Sequence, residues 1–133
     1  PKGITIWEGA WGTGLLAEHI KKADYRVVGD PTLDFLTAQP EEDWDVLVTN
    51  PPFSRKDEFL ERAYALGKPF SLLLPIEALG GSARNKLFRE HGVELLVPSK
   101  RIGFNGGACN FATAWFCWQL NLPAQLTFVE ASW

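Results

Sequence analysis

Short apolar runs alternate with stretches of helical spacing along almost the whole chain, and this alternation restricts the possible folds more than any other feature. Ile4-Thr5-Ile6-Trp7 reads as a buried strand. The turn Gly9-Ala10-Trp11-Gly12-Thr13-Gly14 follows it, and Leu15–Lys22 then has helical periodicity, with Leu16, Ile20 and Ala23 on one face. Tyr25–Gly29 is a second strand that stops at Asp30, and Asp45–Thr49 a third that stops at Asn50-Pro51-Pro52. A helix is predicted from Asp57 to Leu66, with Phe59, Ala63 and Leu66 inward and Gly67 as its C-cap. Phe70–Pro75 is a strand, Ala83–Glu90 a helix closed by His91-Gly92, and Val93–Val97 a strand. A glycine-rich loop, Gly103–Asn110, leads into Ala112–Trp118, which is apolar on both faces as a central strand must be. Leu126–Val129 adds an edge strand. Strands alternating with helices predict a mostly parallel α/β sheet covered on both faces. Ligands of such sheets sit at the carboxyl ends of the strands, near the reversal of strand order.

A chain of 133 residues, 46% hydrophobic and 22% charged, fits one compact domain spanning residues 1–133. The longest apolar stretch, Pro69–Pro75, is too short to cross a bilayer, so no membrane partner is expected. Cys109 and Cys117 form neither a disulfide framework nor a zinc site, and read as buried thiols of an intracellular, cytoplasmic protein. His19 and His91 lack metal-ligand spacing and read as solvated helix positions, so no metal is expected. The net charge of −3 argues against a broad nucleic-acid surface. Four small basic clusters remain: Lys21-Lys22, Arg55-Lys56, Arg84/Lys86/Arg89 and Lys100-Arg101. Only their convergence would make a phosphate track.

The unusual residues gather at strand ends. Glu8-x-x-x-Gly12-x-Gly14 lies between a strand and a helix, where glycines let the backbone approach a ligand. The leading carboxylate would repel a pyrophosphate but can pair with an ammonium group. Asp30, at the end of the second strand, can accept hydrogen bonds from both hydroxyls of a ribose. Asp34-Phe35 follows; it is either an acid and a ring face for an adenine or a plain turn. Asn50-Pro51-Pro52-Phe53 is the most specific of these signals. Two prolines fix the backbone and remove two N–H donors, leaving a rim of acceptors: the Asn50 side-chain oxygen and the prolyl carbonyls. An amino group that donates both hydrogens there turns its lone pair toward an electrophilic methyl, and Phe53 offers a stacking face.

On these residues the chain resembles the class I S-adenosylmethionine-dependent amino-methyltransferases, in particular the N6-adenine DNA methyltransferase-like proteins of phages and prophages. Trp7–Gly14 is similar to their cofactor motif, Asp34-Phe35-Leu36 to their acid–aromatic adenine motif, and Thr49–Ser54 to their catalytic motif. Arg101-Ile102-x-Phe104 and Ala114-Trp115-Phe116 are similar less specifically. The resemblance implies a Rossmann-like three-layer αβα sandwich with a seven-stranded, mostly parallel sheet whose last strand is antiparallel. It implies S-adenosylmethionine as cofactor, held by Glu8, Gly9, Ala10, Gly12, Gly14, Asp30, Asp34, Phe35 and Asn50, and catalysis by Asn50, Pro51, Pro52 and Phe53. The short link from Asp30 to Asp34 leaves open which acid meets the ribose and which the adenine.

The expected activity is methyl transfer to an exocyclic amine, foremost N6 of adenine in DNA. N-methylation of an RNA base or of protein glutamine presents the same kind of nitrogen to the same motif, and a cofactor-binding scaffold subunit is the reading from a different class. Lys100-Arg101, before the glycine-rich loop, favours a nucleic-acid partner, DNA ahead of RNA. No target-recognition domain is expected in this chain, so a separate specificity subunit is an expected partner.

Overall fold

The computed structural model describes residues 3–100 and 112–130. Among the described residues, seven strands form one sheet: β1 (Thr5–Trp7), β2 (Arg26–Val28), β3 (Val46–Thr49), β4 (Phe70–Pro75), β5 (Glu94–Pro98), β6 (Thr113–Trp118) and β7 (Leu126–Val129). Three α-helices cover it: α1 (Leu15–Lys22), α2 (Lys56–Leu66) and α3 (Ser82–His91). Every element read from the sequence is present, displaced at its ends by a residue or two at most.

The strand order is β2-β1-β3-β4-β6-β5-β7. Strands β1 to β4 are mutually parallel, with Trp7 level with Val28 on one side and Leu47 on the other. The antiparallel strand is β6, not the last strand as expected. It runs back between β4 and β5, with Leu73 opposite Trp115 and Leu95 opposite Phe116. The last strand, β7, lies parallel to β5 at the sheet edge. The reason is the short link 119–125, which reverses the chain beneath β5, so that β7 must run opposite to β6. Left-handed backbone at Gln119 and Asn121 makes the reversal, and Glu94 accepts from the Leu122 amide at 3.0 Å to pin it.

Alternation along the strands separates two cores. Ile6, Val46 and Val48 face α1, which contributes Leu16 and Ile20. Trp7, Leu47, Phe70, Leu72 and Leu74 face the other side, where α2 buries Phe59, Leu60, Ala63 and Tyr64. This is the three-layer αβα arrangement. The inward stripe of α2 is wider than predicted. Tyr64 joins it because its hydroxyl donates to the Gly92 carbonyl at 2.7 Å and its ring meets Phe70 edge-on, whereas Leu66, in the last turn, is only half-buried. Ala23, expected on the inner face of α1, is the exposed cap of that helix, and Ala17 is buried instead.

Gly29 ends β2 with φ +115°, and a Cβ there would stand 2.7 Å from the Glu8 carbonyl oxygen. Backbone cannot yield as a flexible side chain can, so the clash adds to the conformational strain. Gly29→Ala is expected to destabilise the fold by about 2 kcal/mol or more, read as a lower urea midpoint at unchanged m-value. An unchanged midpoint would show that the β1–β2 contact can relax to admit a Cβ.

Candidate functional site

Because β1 pairs in parallel with both β2 and β3, the tips of the three strands stand side by side at one edge of the sheet. The chain passes from β1 outward to β2, then returns to β3 on the other side, so the strand order reverses between β1 and β3. A crevice at such a reversal is where open parallel sheets hold ligands. Glu8 through Gly14 follows β1, Gly29-Asp30 follows β2, and Asn50 through Phe53 follows β3. The structure brings these sequence-predicted residues to one edge.

Glu8 is 2% exposed, an unusual position for a carboxylate. Its Oε1 accepts from the Ala10 amide at 2.8 Å and from the Thr49 hydroxyl, and the Thr49 oxygen in turn accepts from the Ala10 amide at 2.9 Å. Burial pushes the Glu8 carboxyl above its usual range, and the bonds from Thr49 and Ala10 oppose that shift. Gly14 turns the loop into α1 with left-handed backbone, its amide donating to the Trp11 carbonyl at 2.8 Å. Gly9 is held against Phe35, whose ring lies where a Cβ would be.

Asp30 is exposed, and its Oδ1 accepts from the amide and the hydroxyl of Thr32, at 2.7 and 2.5 Å. The Thr32 hydroxyl, then its amide, hold the carboxyl below the ordinary aspartate range, so it is ionised at neutral pH. Asp34 caps its own turn, with Oδ1 accepting from the Leu36 amide at 3.0 Å and its carbonyl accepting from Thr37 and Ala38. The turn reading of this residue is therefore the one the structure displays. Phe35 lies buried beneath the loop that follows β1, against Gly9. It is 2% exposed, stacked on Phe59 at 4.7 Å and tilted against Trp7 at 5.1 Å. Core packing explains this ring, and the expected adenine face is turned into the protein.

Asn50 is half-buried directly after β3, Pro51 is buried and Pro52 exposed. The Pro52 carbonyl accepts from the Arg55 amide at 3.0 Å, starting the 3-10 turn Phe53–Arg55 that leads into α2. Of the expected acceptor rim, the Pro52 carbonyl thus has one of its two lone pairs engaged. Phe53 is half-buried, and its carbonyl accepts from Lys56 Nζ at 3.3 Å. Thr49 belongs to the sequence motif, but its residue type alone assigns it no role. The signal that could have found it is a hydroxyl closing a strand that otherwise carries only aliphatic side chains.

Cations in three of the basic clusters have partners within the chain. Lys21 lies over the Trp11 ring, Arg55 pairs with Glu58, and Arg84 and Lys86 pair with Asp57 and Glu90. Lys100 is exposed two residues beyond β5, at the same edge of the sheet as the other parallel strand tips. Arg101, Cys109 and the loop Gly103–Asn110 lie outside the described residues. The strand after that loop, β6, is next to β4, one strand away from β3. Cys117 is buried, its thiol pushed up to about 11 chiefly by burial. His91, exposed in the last turn of α3, stacks its ring on Tyr64 at 4.7 Å. No helix among the described residues is long and apolar enough to cross a membrane.

No family model matches this sequence, and no curated protein matches it significantly. Solved structures do match its fold. The methyltransferase subunit of a type I restriction-modification system from Streptococcus thermophilus superposes with a TM-score of 0.62 at 17% identity, over 97% of this chain and 42% of that one. A predicted O-methyltransferase from Agrobacterium tumefaciens is similar over 95% of this chain and 66% of that one, at 16% identity and a TM-score of 0.46. The chain spans less than half the length of the Streptococcus protein. Its fold is the Rossmann-like fold of class I methyltransferases.

An acid whose folded-state pKa is raised takes up protons on folding between its unfolded and folded values, so stability falls as pH rises through that window. Glu8→Gln keeps an acceptor for Thr49 and Ala10 and removes the ionisation. The variant is expected to melt higher than wild type near about pH 8, with the difference shrinking toward about pH 4. Equal melting temperatures across the series would show that Glu8 is better solvated than its burial indicates.

Proposed function

We propose that this chain binds S-adenosylmethionine and transfers its methyl group to an exocyclic amine, with N6 of adenine in DNA as the target. The observation that carries the reading is the gathering of Glu8, Asp30 and Asn50 around the reversal between β1 and β3. The methyltransferase fold and the description of the Streptococcus protein as a restriction-modification methyltransferase support it.

The residues suit the cofactor. Asp30 is ionised, exposed and held in place by Thr32, so it can accept from ribose hydroxyls. Glu8 presents a carboxylate beside the loop that precedes α1, suited to an ammonium group. When bound, S-adenosylmethionine supplies a methyl group on a positively charged sulfur, which needs no protein nucleophile. Asn50 and the Pro51 carbonyl accept the two hydrogens of the target amine and turn its lone pair away from the aromatic ring. Asn50 and the Pro51 carbonyl would thereby hold the nitrogen lone pair in line with that methyl, and the proton lost from the amine on methylation would pass to water. The rate gain comes from alignment, which the Pro-Pro backbone secures without moving parts. Lys100, at the same edge, favours a nucleic-acid substrate over a glutamine side chain.

Asn50→Ala is expected to bind S-adenosylhomocysteine as wild type does and to lose methyl transfer by about a hundredfold or more, because Asn50 meets the amine. Asp30→Ala is expected to weaken that binding roughly tenfold. Calorimetry with S-adenosylhomocysteine, followed by labelled-methyl transfer to DNA, RNA and protein pools, separates the alternatives. Label in protein alone would select the glutamine reading. Cofactor binding without transfer to any pool would select the scaffold reading.

A further inference from the structure

We propose that Thr49 is a positioning residue that holds the Glu8 carboxylate in place and so joins the cofactor loop to the strand bearing Asn50. This rests on the methyltransferase reading above. Thr49 is wholly buried at the last position of β3, paired level with Leu72 of β4. Its hydroxyl is used in both directions: it donates to Glu8 Oε1 and accepts from the Ala10 amide. Ala10 also donates to the same carboxylate oxygen at 2.8 Å, so three groups from two strand tips close a triangle.

A hydroxyl is needed at this corner because the site requires a donor and an acceptor at one point. Valine has the same shape and supplies neither, while serine supplies both. The contact also bears on ionisation. The causes of the Glu8 shift are burial, the Thr49 bond and the Ala10 bond, with no charged side chain of the described residues among them. Thr49 on β3 and Ala10 in the loop after β1 are thus the groups that keep a buried carboxylate available to a cation. Without the hydroxyl, Glu8 would hold its proton to higher pH and its orientation would rest on the Ala10 amide alone. The next residue, Asn50, starts from the same backbone, so the distance between the loop and the acceptor rim is set through this triangle.

The test is calorimetric titration with S-adenosylhomocysteine across a pH series, using the whole chain as wild type, Thr49→Val and Thr49→Ser. Binding that requires ionised Glu8 is present above its pKa and is lost as pH falls through it. Thr49→Val is expected to bind about tenfold more weakly near neutral pH, and its loss of affinity should set in at higher pH than in wild type. Thr49→Ser should restore both the affinity and the pH profile. Thr49 would be only a core residue if a folded Thr49→Val matched wild type in affinity and profile. It would likewise be only a core residue if Thr49→Val did not fold and Thr49→Ser, though folded, had lost the wild-type profile. Failure of wild type itself to bind S-adenosylhomocysteine would overturn the methyltransferase reading, and this proposal with it.

Discussion

The central constraint on this molecule is that β1 is paired on both sides by parallel strands that the chain reaches in opposite directions. Parallel pairing puts the carboxyl ends of β1, β2 and β3 on one edge, and the strand order reverses between β1 and β3. The loops after β1, β2 and β3 must therefore converge there, whatever their sequences. What the sequence adds is chemistry at those three points: a buried acid, an exposed acid and a proline-stiffened amide. Glu8 shows the cost, since a carboxylate drawn into the edge of a core is destabilising unless donors reach it.

Nearly all of the fold was legible in the sequence because its elements announce themselves locally. Phe70–Pro75 is a strand by composition and remains one, and Gly67 closes α2 in the left-handed conformation expected of it. What was not legible depended on relations between distant segments. The direction of β7 follows from the length of the link 119–125, which a pattern of alternating residues does not encode. Phe35 is a sharper case. An acid followed by an aromatic ring is compatible with an adenine subsite and with a turn that drops a ring into a core. Only the position of Phe59, on a helix well over a dozen residues later, decides between them. The hydroxyl of Thr49 was visible as a letter, but its partner lies 41 residues away, just past the end of another strand.

The site itself was legible in proportion to how local its chemistry is. Asn50-Pro51-Pro52 carries its geometry in its own backbone, so its acceptor character could be read directly. The engagement of the Pro52 carbonyl by Arg55 could not, because it belongs to the 3-10 turn that opens α2. Basic clusters were the least informative feature, since Lys21, Arg55, Arg84 and Lys86 meet a ring or neighbouring acids that the clusters themselves do not reveal.

The insertion of β6 between β4 and β5 has a consequence for how the chain assembles. Among the described residues, β5 pairs only with β6 and β7, both of which come after it in the sequence. While the polypeptide is being synthesised, β1 to β4 can form a four-stranded sheet, but β5 has nowhere to dock until residue 113 and beyond have emerged. During that interval β4 presents an open edge of wholly buried-type side chains, Phe70 to Pro75, to any extended chain nearby. The segment that carries β6 and β7 thus acts as the closing piece of the sheet. An interrupted chain ending before it would retain all three strand-tip loops and still be the form most prone to aggregate.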